Sequence, residues 1–309
     1  MVKNHGSIIL VHILLAVVLS YGVSFASDTS EMTVIAYRID GGQKNSTGEV
    51  RSSYLVGTTV LKKLDEYKLP EQINDYFTSS EVIVLESSSL SGNVDPDELR
   101  SFMLPNFEIK KLFKPDIWTK LDERCQNLGI NLEYIPFKPF VIAIMLIEKD
   151  INKSLKDSLE KYFYNSAKEK AKSIKFLETS ISHIIDKMPL ETQVLLVEKV
   201  IEDTGELALE LAATERAYLS GDLEEIEKVT RIVSKNSLFA EADKIIHRIF
   251  IDERSAFWMP MIEDHIQNGG AFIVVNIMNL VGKDGLVEKL RKKGYRLTDV
   301  SVIGKEYKK

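Results

Sequence analysis

Val82-Ile83-Val84-Leu85-Glu86 places four consecutive apolar residues in front of a carboxylate. Unbroken apolar character over so short a span fits a strand covered on both faces, as in the sheets of α/β proteins. A strand with one wet face would alternate instead. Glu86 then stands at the carboxyl end of a buried strand, where open α/β sheets hold their ligands. A capping or loop-bonding carboxylate accounts for it equally well from these residues alone.

The same pattern recurs near the other end of the chain. Ala271 to Val275 reads as a second buried strand behind Gly269-Gly270, followed by a helix over Gly282 to Lys293, a stop at Gly294 and a final strand from Arg296 to Ile303. On the N-terminal side, Met32 to Ile39 alternates apolar and polar residues and runs into Asp40-Gly41-Gly42. Ser53 to Val56 reads as its antiparallel neighbour across the polar loop Gly42 to Arg51, which puts Gly57-Thr58-Thr59-Val60 at a strand exit. Leu69-Pro70-Glu71-Gln72 opens a helix, because proline's missing N–H costs nothing in the first turn and acids suit the dipole. Ile73, Tyr76 and Phe77 turn to the core.

Between these α/β segments, from about residue 95 to 250, the chain turns mainly helical. Pro96 and Pro115 sit as first-turn prolines, and Gly129, Gly205 and Gly221 as stops. Phe137 to Leu146 is a buried helix too short to cross a bilayer, and a further helix covers Leu155 to Lys170. A short strand at Ser173 to Leu177 leads into Glu178-Thr179, and helically spaced stripes follow, such as Ile181, Ile184, Ile185 and Met188. The expected fold is α/β: a mixed sheet formed by N- and C-terminal segments with a large all-helical middle insertion, one domain over 27–309.

Residues 1–26 read as a signal peptide. Lys3 lies in a short polar start, Ile8 to Leu19 is apolar, and Ser24-Phe25-Ala26 sets small residues at the cut. An uncleaved anchor is the competing reading, but the apolar core falls short of the ~20 residues a span requires. The expected protein is therefore exported, periplasmic or secreted, with no membrane span after cleavage. Removing the leader takes away one basic residue and leaves 39 against 46 acidic, a charge of −7. Interleaved signs and an acidic balance argue against nucleic acid, which calls for a concentrated basic surface. Lys305, Lys308 and Lys309 read as a solvated tail. Cys125 is the only cysteine, so no intramolecular disulfide forms and stability rests on the core. Asn45-Ser46-Thr47 and Asn152-Lys153-Ser154 match glycosylation acceptors, which matter only in a eukaryotic host.

The common nucleotide, zinc and serine-hydrolase motifs are absent from the sequence. Beyond the leader, the histidines are His183, His247 and His265, all in expected helices, with no i, i+4 pair to face a metal. Ordered fragments carry more information. Tyr54-Leu55-Val56-Gly57-Thr58-Thr59-Val60, then Leu69-Pro70, Val82 to Glu86, Lys138-Pro139-Phe140, Leu177-Glu178-Thr179, Arg254, Trp258 and Phe272 to Tyr295 together resemble the TraB/GumN family. Its usual opening is a strand ending in Gly-Thr-Ile-His, a helix opened by Leu-Pro and a strand ending in glutamate. The blocks occur in order over nearly the whole mature chain.

The resemblance implies a metal-dependent hydrolase or protease in which paired histidines and a neighbouring carboxylate hold a water-activating divalent ion. Here the first histidine position is Val60 and the second is Asn279, with Asn276 at the preceding glycine position. Valine has no ligand atom, and an asparagine carbonyl suits hard ions better than transition metals. What remains of the family's charged residues is Glu86, Glu178 and Arg254, with Gly57, Thr58 and Asn279 as the binding residues of a cleft where the two turns converge. The expected function is a catalytically degenerate, non-hydrolytic protein that binds a peptide or protein segment in that cleft, without a resident cofactor. Peptide partners follow from family members linked to peptide-pheromone control. The alternative is a surviving peptidase or hydrolase built from Glu86, Glu178, Asn279 and Arg254 around a hard metal ion, with Mn²⁺, Co²⁺, Zn²⁺ and Ca²⁺ as the divalent candidates, or around water alone. The bland reading makes Arg254 a buried partner of Glu86 or Glu178.

Overall fold

The computed structural model describes residues 30–42, 51–61, 64, 67–88, 96–104, 109–132, 136–151, 157–202, 206–230 and 237–304. The expected leader, both acceptor triplets, Gly205 and the terminal lysines lie outside these residues.

The strands are β1 (Ile35–Asp40), β2 (Ser53–Thr58), β3 (Val82–Ser87), β4 (Ser173–Glu178), β5 (Ala271–Asn276) and β6 (Arg296–Asp299). They form one mixed sheet in the order β6-β1-β2-β5-β3-β4. β2, β5, β3 and β4 run parallel, while β1 lies antiparallel to both β2 and β6. The sheet is drawn from the two ends of the chain, with β4 supplied from the otherwise helical middle. All six residues of β5 are buried, as an unbroken apolar run at the centre of a covered sheet requires.

The helices are α1 (Glu71–Ser79), α2 (Pro96–Ser101), α3 (Pro115–Gln126), α4 (Pro139–Ile151), α5 (Leu159–Glu169), α6 (Ser182–Lys187), α7 (Leu190–Glu202), α8 (Glu206–Ser220), α9 (Leu223–Thr230), α10 (Ser237–His247), α11 (Arg254–Asn268), α12 (Ile277–Leu280) and α13 (Leu286–Lys292). Pro70 precedes α1, and Ile73 and Phe77 are its buried residues. Tyr76 is only partly buried and stacks on Tyr54 of β2 at 4.2 Å between ring centroids. Phe77, Phe163 of α5 and Phe272 of β5 meet at 4.9 to 5.5 Å, which fixes both helices against one region of the sheet. Lys172 closes α1 by donating to the Thr78 and Ser80 carbonyls at 2.8 and 2.7 Å. Among the described residues, no helix is long and apolar enough to cross a membrane.

Several boundaries differ from the sequence reading. β2 continues through Gly57 and Thr58, because their partners Val275 and Asn276 in β5 are already in register. The helix expected from Leu155 starts at Leu159. Asp157–Ser158 instead pairs with Val60–Leu61, and Ser158 then caps α5 by accepting from the Lys161 amide. β6 ends at Asp299 because the Ser301 hydroxyl accepts from the Ala36 amide in place of a backbone carbonyl. An isolated bridge at Val302 to Val34 resumes the pairing. The helix expected from Gly282 begins at Leu286, behind Gly285.

Gly57 shows how tightly β2 meets the chain after β5. A methyl carbon placed on it would lie 2.6 Å from both Ile277 Cδ1 and Leu280 Cδ2, in a fully buried setting. Gly57→Ala therefore forces those core side chains off their positions, and the expected cost is about 1–3 kcal/mol. A lowered denaturant midpoint with unchanged slope would show this, and an unchanged midpoint would mean the region yields freely.

Candidate functional site

β2, β5, β3 and β4 all end on the same side of the sheet, because they are parallel. Thr58, Asn276, Ser87 and Glu178 close them in sheet order. Glu86 lies one residue inside β3, with its backbone amide donating to Glu160 Oε1 at 3.0 Å. Its own Oε1 accepts from the Asn276 amide at 2.6 Å. Three elements thus meet on one carboxylate and its backbone.

Arg254 enters from the start of α11, directly after a π-helical turn over Arg248–Glu253. That wide turn sets the phase at which α11 begins. The guanidinium donates from both Nε and Nη2 to the Glu178 carboxylate, with Nε to Oε1 at 3.1 Å. Nη2 also lies 3.1 Å from Glu86 Oε2, but that oxygen accepts no aligned hydrogen bond. The Nε and Nη2 edge of the fork is engaged by Glu178, and Glu86 receives charge without direction. Trp258, one helical turn on, stacks its ring 4.4 Å from the Arg254 guanidinium carbon. The side chains of Glu86, Glu178 and Arg254 are each 1% exposed.

Three carboxylates therefore face one guanidinium: Glu86, Glu178 and Glu160, which the sequence reading did not single out. Glu160 occupies the first turn of α5, where an acid ordinarily answers the helix dipole from the surface. No periodicity in the sequence marks it as buried, yet it is 3% exposed. Burial pushes its carboxyl well above the ordinary value of 4.5, and the neighbouring Glu86 adds to the rise. Burial likewise raises Glu86, against the pull of Arg254 and the Asn276 amide. For Arg254, burial opposes the charge, but Glu178 and Glu86 outweigh it and raise the pKa further.

The expected binding residues lie beside this cluster. The Gly57 carbonyl accepts from the buried Tyr218 hydroxyl at 2.8 Å, and Thr58 Oγ1 donates to the Val275 carbonyl at 3.2 Å. Asn279 is 1% exposed and its Oδ1 accepts from Ser255 at 3.2 Å. Asn276 caps α12 through Oδ1, which accepts from the Met278 amide at 3.0 Å. The two turns converge, and the space between them is filled by Ile277 and Leu280 against Gly57. Just beyond the end of β2, Val60–Leu61 pairs with Asp157–Ser158, a two-residue strand pair that leads straight into Glu160.

A carboxyl whose pKa is higher folded than unfolded contributes stability below its unfolded value and loses it as pH rises through the folded one. The protein should therefore weaken as pH rises above about 4.5 and through the raised folded value, through Glu160 above all. Glu160→Gln keeps an acceptor for the Glu86 amide and removes the proton equilibrium. The expected result is a flatter stability-against-pH curve and a higher melting temperature at alkaline pH. Equal slopes for the two proteins would show that Glu160 does not carry the effect.

Comparison with curated proteins and with solved structures gives no match. A family model described as the TraB/PrgY/gumN family matches residues 44–299, a span that includes β2 to β5 and the whole carboxylate and arginine cluster. The chain belongs to the TraB/PrgY/gumN family.

Proposed function

We propose that this chain is an exported, catalytically degenerate member of its family, in which Arg254, Glu86 and Glu178 brace the sheet instead of activating water. Its work, in this reading, is to engage a peptide or protein segment at the same end of the sheet. The observation that carries the first part is the mutual engagement of the three charges, each 1% exposed. A base that activates water must reach it, and an oxyanion donor must have N–H groups to spare. Arg254 Nε and Nη2 are engaged by Glu178, Glu86 Oε1 is engaged by the Asn276 amide, and Glu86 Oε2 is buried 3.1 Å from the guanidinium.

The donor set does not fit a divalent ion in this arrangement. A guanidinium lies between the two carboxylates that would hold one, and Asn279 Oδ1 is engaged by Ser255. At the positions where the resemblance expects histidines stand Val60, within the short strand pair, and Asn279. Export rests on the leader-like first 26 residues, and the peptide partner rests on the family resemblance. The Val60–Leu61 and Asp157–Ser158 pair follows the end of β2 and leads into Glu160, and a pair of this length is marginal without its packing, so in this reading it is the segment that yields to a peptide.

Calorimetric titration of the leader-free, metal-stripped protein with Mn²⁺, Co²⁺, Zn²⁺ and Ca²⁺, beside the Glu86→Gln variant, tests the reading. The expected outcome is no heat that depends on Glu86. Tight binding lost in Glu86→Gln would overturn the degenerate reading in favour of a hydrolase built on Glu86, Glu178, Asn279 and Arg254.

A further inference from the structure

A cavity of about 250 Å³ opens away from the charged cluster and shares no lining residue with it. It lies between the first turn of α9 and the segment running from Val281 into α13, over Tyr37 of β1. Its apolar surface comes from Leu223, Val281, Val287 and the Tyr37 ring, and Tyr37 is 4% exposed. The Tyr37 hydroxyl makes no hydrogen bond among the described residues, and burial raises its pKa, so the phenol stays a neutral donor at physiological pH.

Opposite charges line the cavity from different elements. Glu224 belongs to α9 and Lys283 to the loop ahead of α13, and both are exposed. Neither has an ion-pair partner among the described residues, whereas Arg291 nearby is already paired with Glu288 at 2.6 Å. The amides at the start of α9 are also taken, since Asp222 Oδ1 accepts from Glu224 and Glu225. An anionic group entering here therefore finds Lys283 rather than the helix terminus, and a cationic group finds Glu224 with Glu227 beside it on the same helix.

We infer that this cavity binds a small apolar zwitterion, a free amino acid or a very short peptide, with its ammonium toward Glu224, its carboxylate toward Lys283 and its side chain on the apolar floor. The volume is below the roughly 300–1,000 Å³ of clefts that take drug-sized ligands, which sets the size class. Exposure of both charges sets the strength, because ion pairs at a wet rim are weak. The inference goes beyond the reading of the buried cluster and does not depend on it, so the metal titration and the one below fail independently.

The test titrates the full chain with L-leucine and with L-leucyl-L-leucine, following heat and melting temperature. 3-Methylbutylamine and N-acetyl-L-leucine serve as analogues lacking one charge each. Binding of leucine assigns the free amino acid, and binding of the dipeptide alone assigns a peptide. Glu224→Gln should weaken the zwitterion about threefold to fivefold and leave N-acetyl-L-leucine unchanged; Lys283→Met should weaken it similarly and leave 3-methylbutylamine unchanged. Both positions are exposed, so the variants fold as the parent does. No response to either zwitterion up to about 10 mM, or binding indifferent to both substitutions, overturns the assignment.

Discussion

One guanidinium buried among three carboxylates is the constraint around which this molecule is arranged. A buried ion left alone costs several kcal/mol even after the surroundings relax, so each charge requires its partners in place. Arg254 at the start of α11 meets that requirement through Glu178 at the end of β4 and Glu86 near the end of β3. Glu86 in turn holds the Asn276 amide at the end of β5, and its own amide holds Glu160 at the start of α5. Three neighbouring strands and two helices are thus tied at one point. The sheet's apolar core supplies bulk stability, while this cluster specifies how the strand ends meet.

The same closure decides what this end of the sheet can do. Parallel strands normally leave a crevice beyond their carboxyl ends, and ligands use it. Here Ile277 and Leu280 pack against Gly57, and the Val60–Leu61 and Asp157–Ser158 pair leads Glu160 onto the Glu86 amide. Metal-assisted chemistry needs ligand atoms facing an open position. In this chain those atoms face one another. An opening on the described surface lies elsewhere, beside α9 and α13, with a different balance of apolar and charged groups.

Much of this was legible in the residues. Val82–Leu85 and Ala271–Val275 are apolar without interruption, which marks them as strands covered on both faces, and both lie inside the sheet. Glu178 and Arg254 were singled out from ordered fragments, with an ion pair as one of their readings, and they do pair. Glu160 was not legible. An acid in the first turn of a helix looks the same in sequence whether it faces water or a core, and only the pairing of Asp157–Ser158 with Val60–Leu61 turns it inward. The start of α5 and the end of β6 were misplaced for a related reason, since contacts distant in sequence set them: Val60 with Ser158, and Ser301 with Ala36. The π-helical turn before Arg254 leaves no mark in the periodicity either.

A double-mutant cycle on Arg254 and Glu178, followed by denaturant unfolding at neutral pH, tests the brace most directly. Arg254→Met alone strands buried carboxylates, and the account expects a loss of about 3–5 kcal/mol. Adding Glu178→Leu should return a large part of that loss, because the stranded charge leaves with its partner. An Arg254→Met protein as stable as the parent, or two losses that simply add, would contradict the claim that this buried cluster ties the strand ends together.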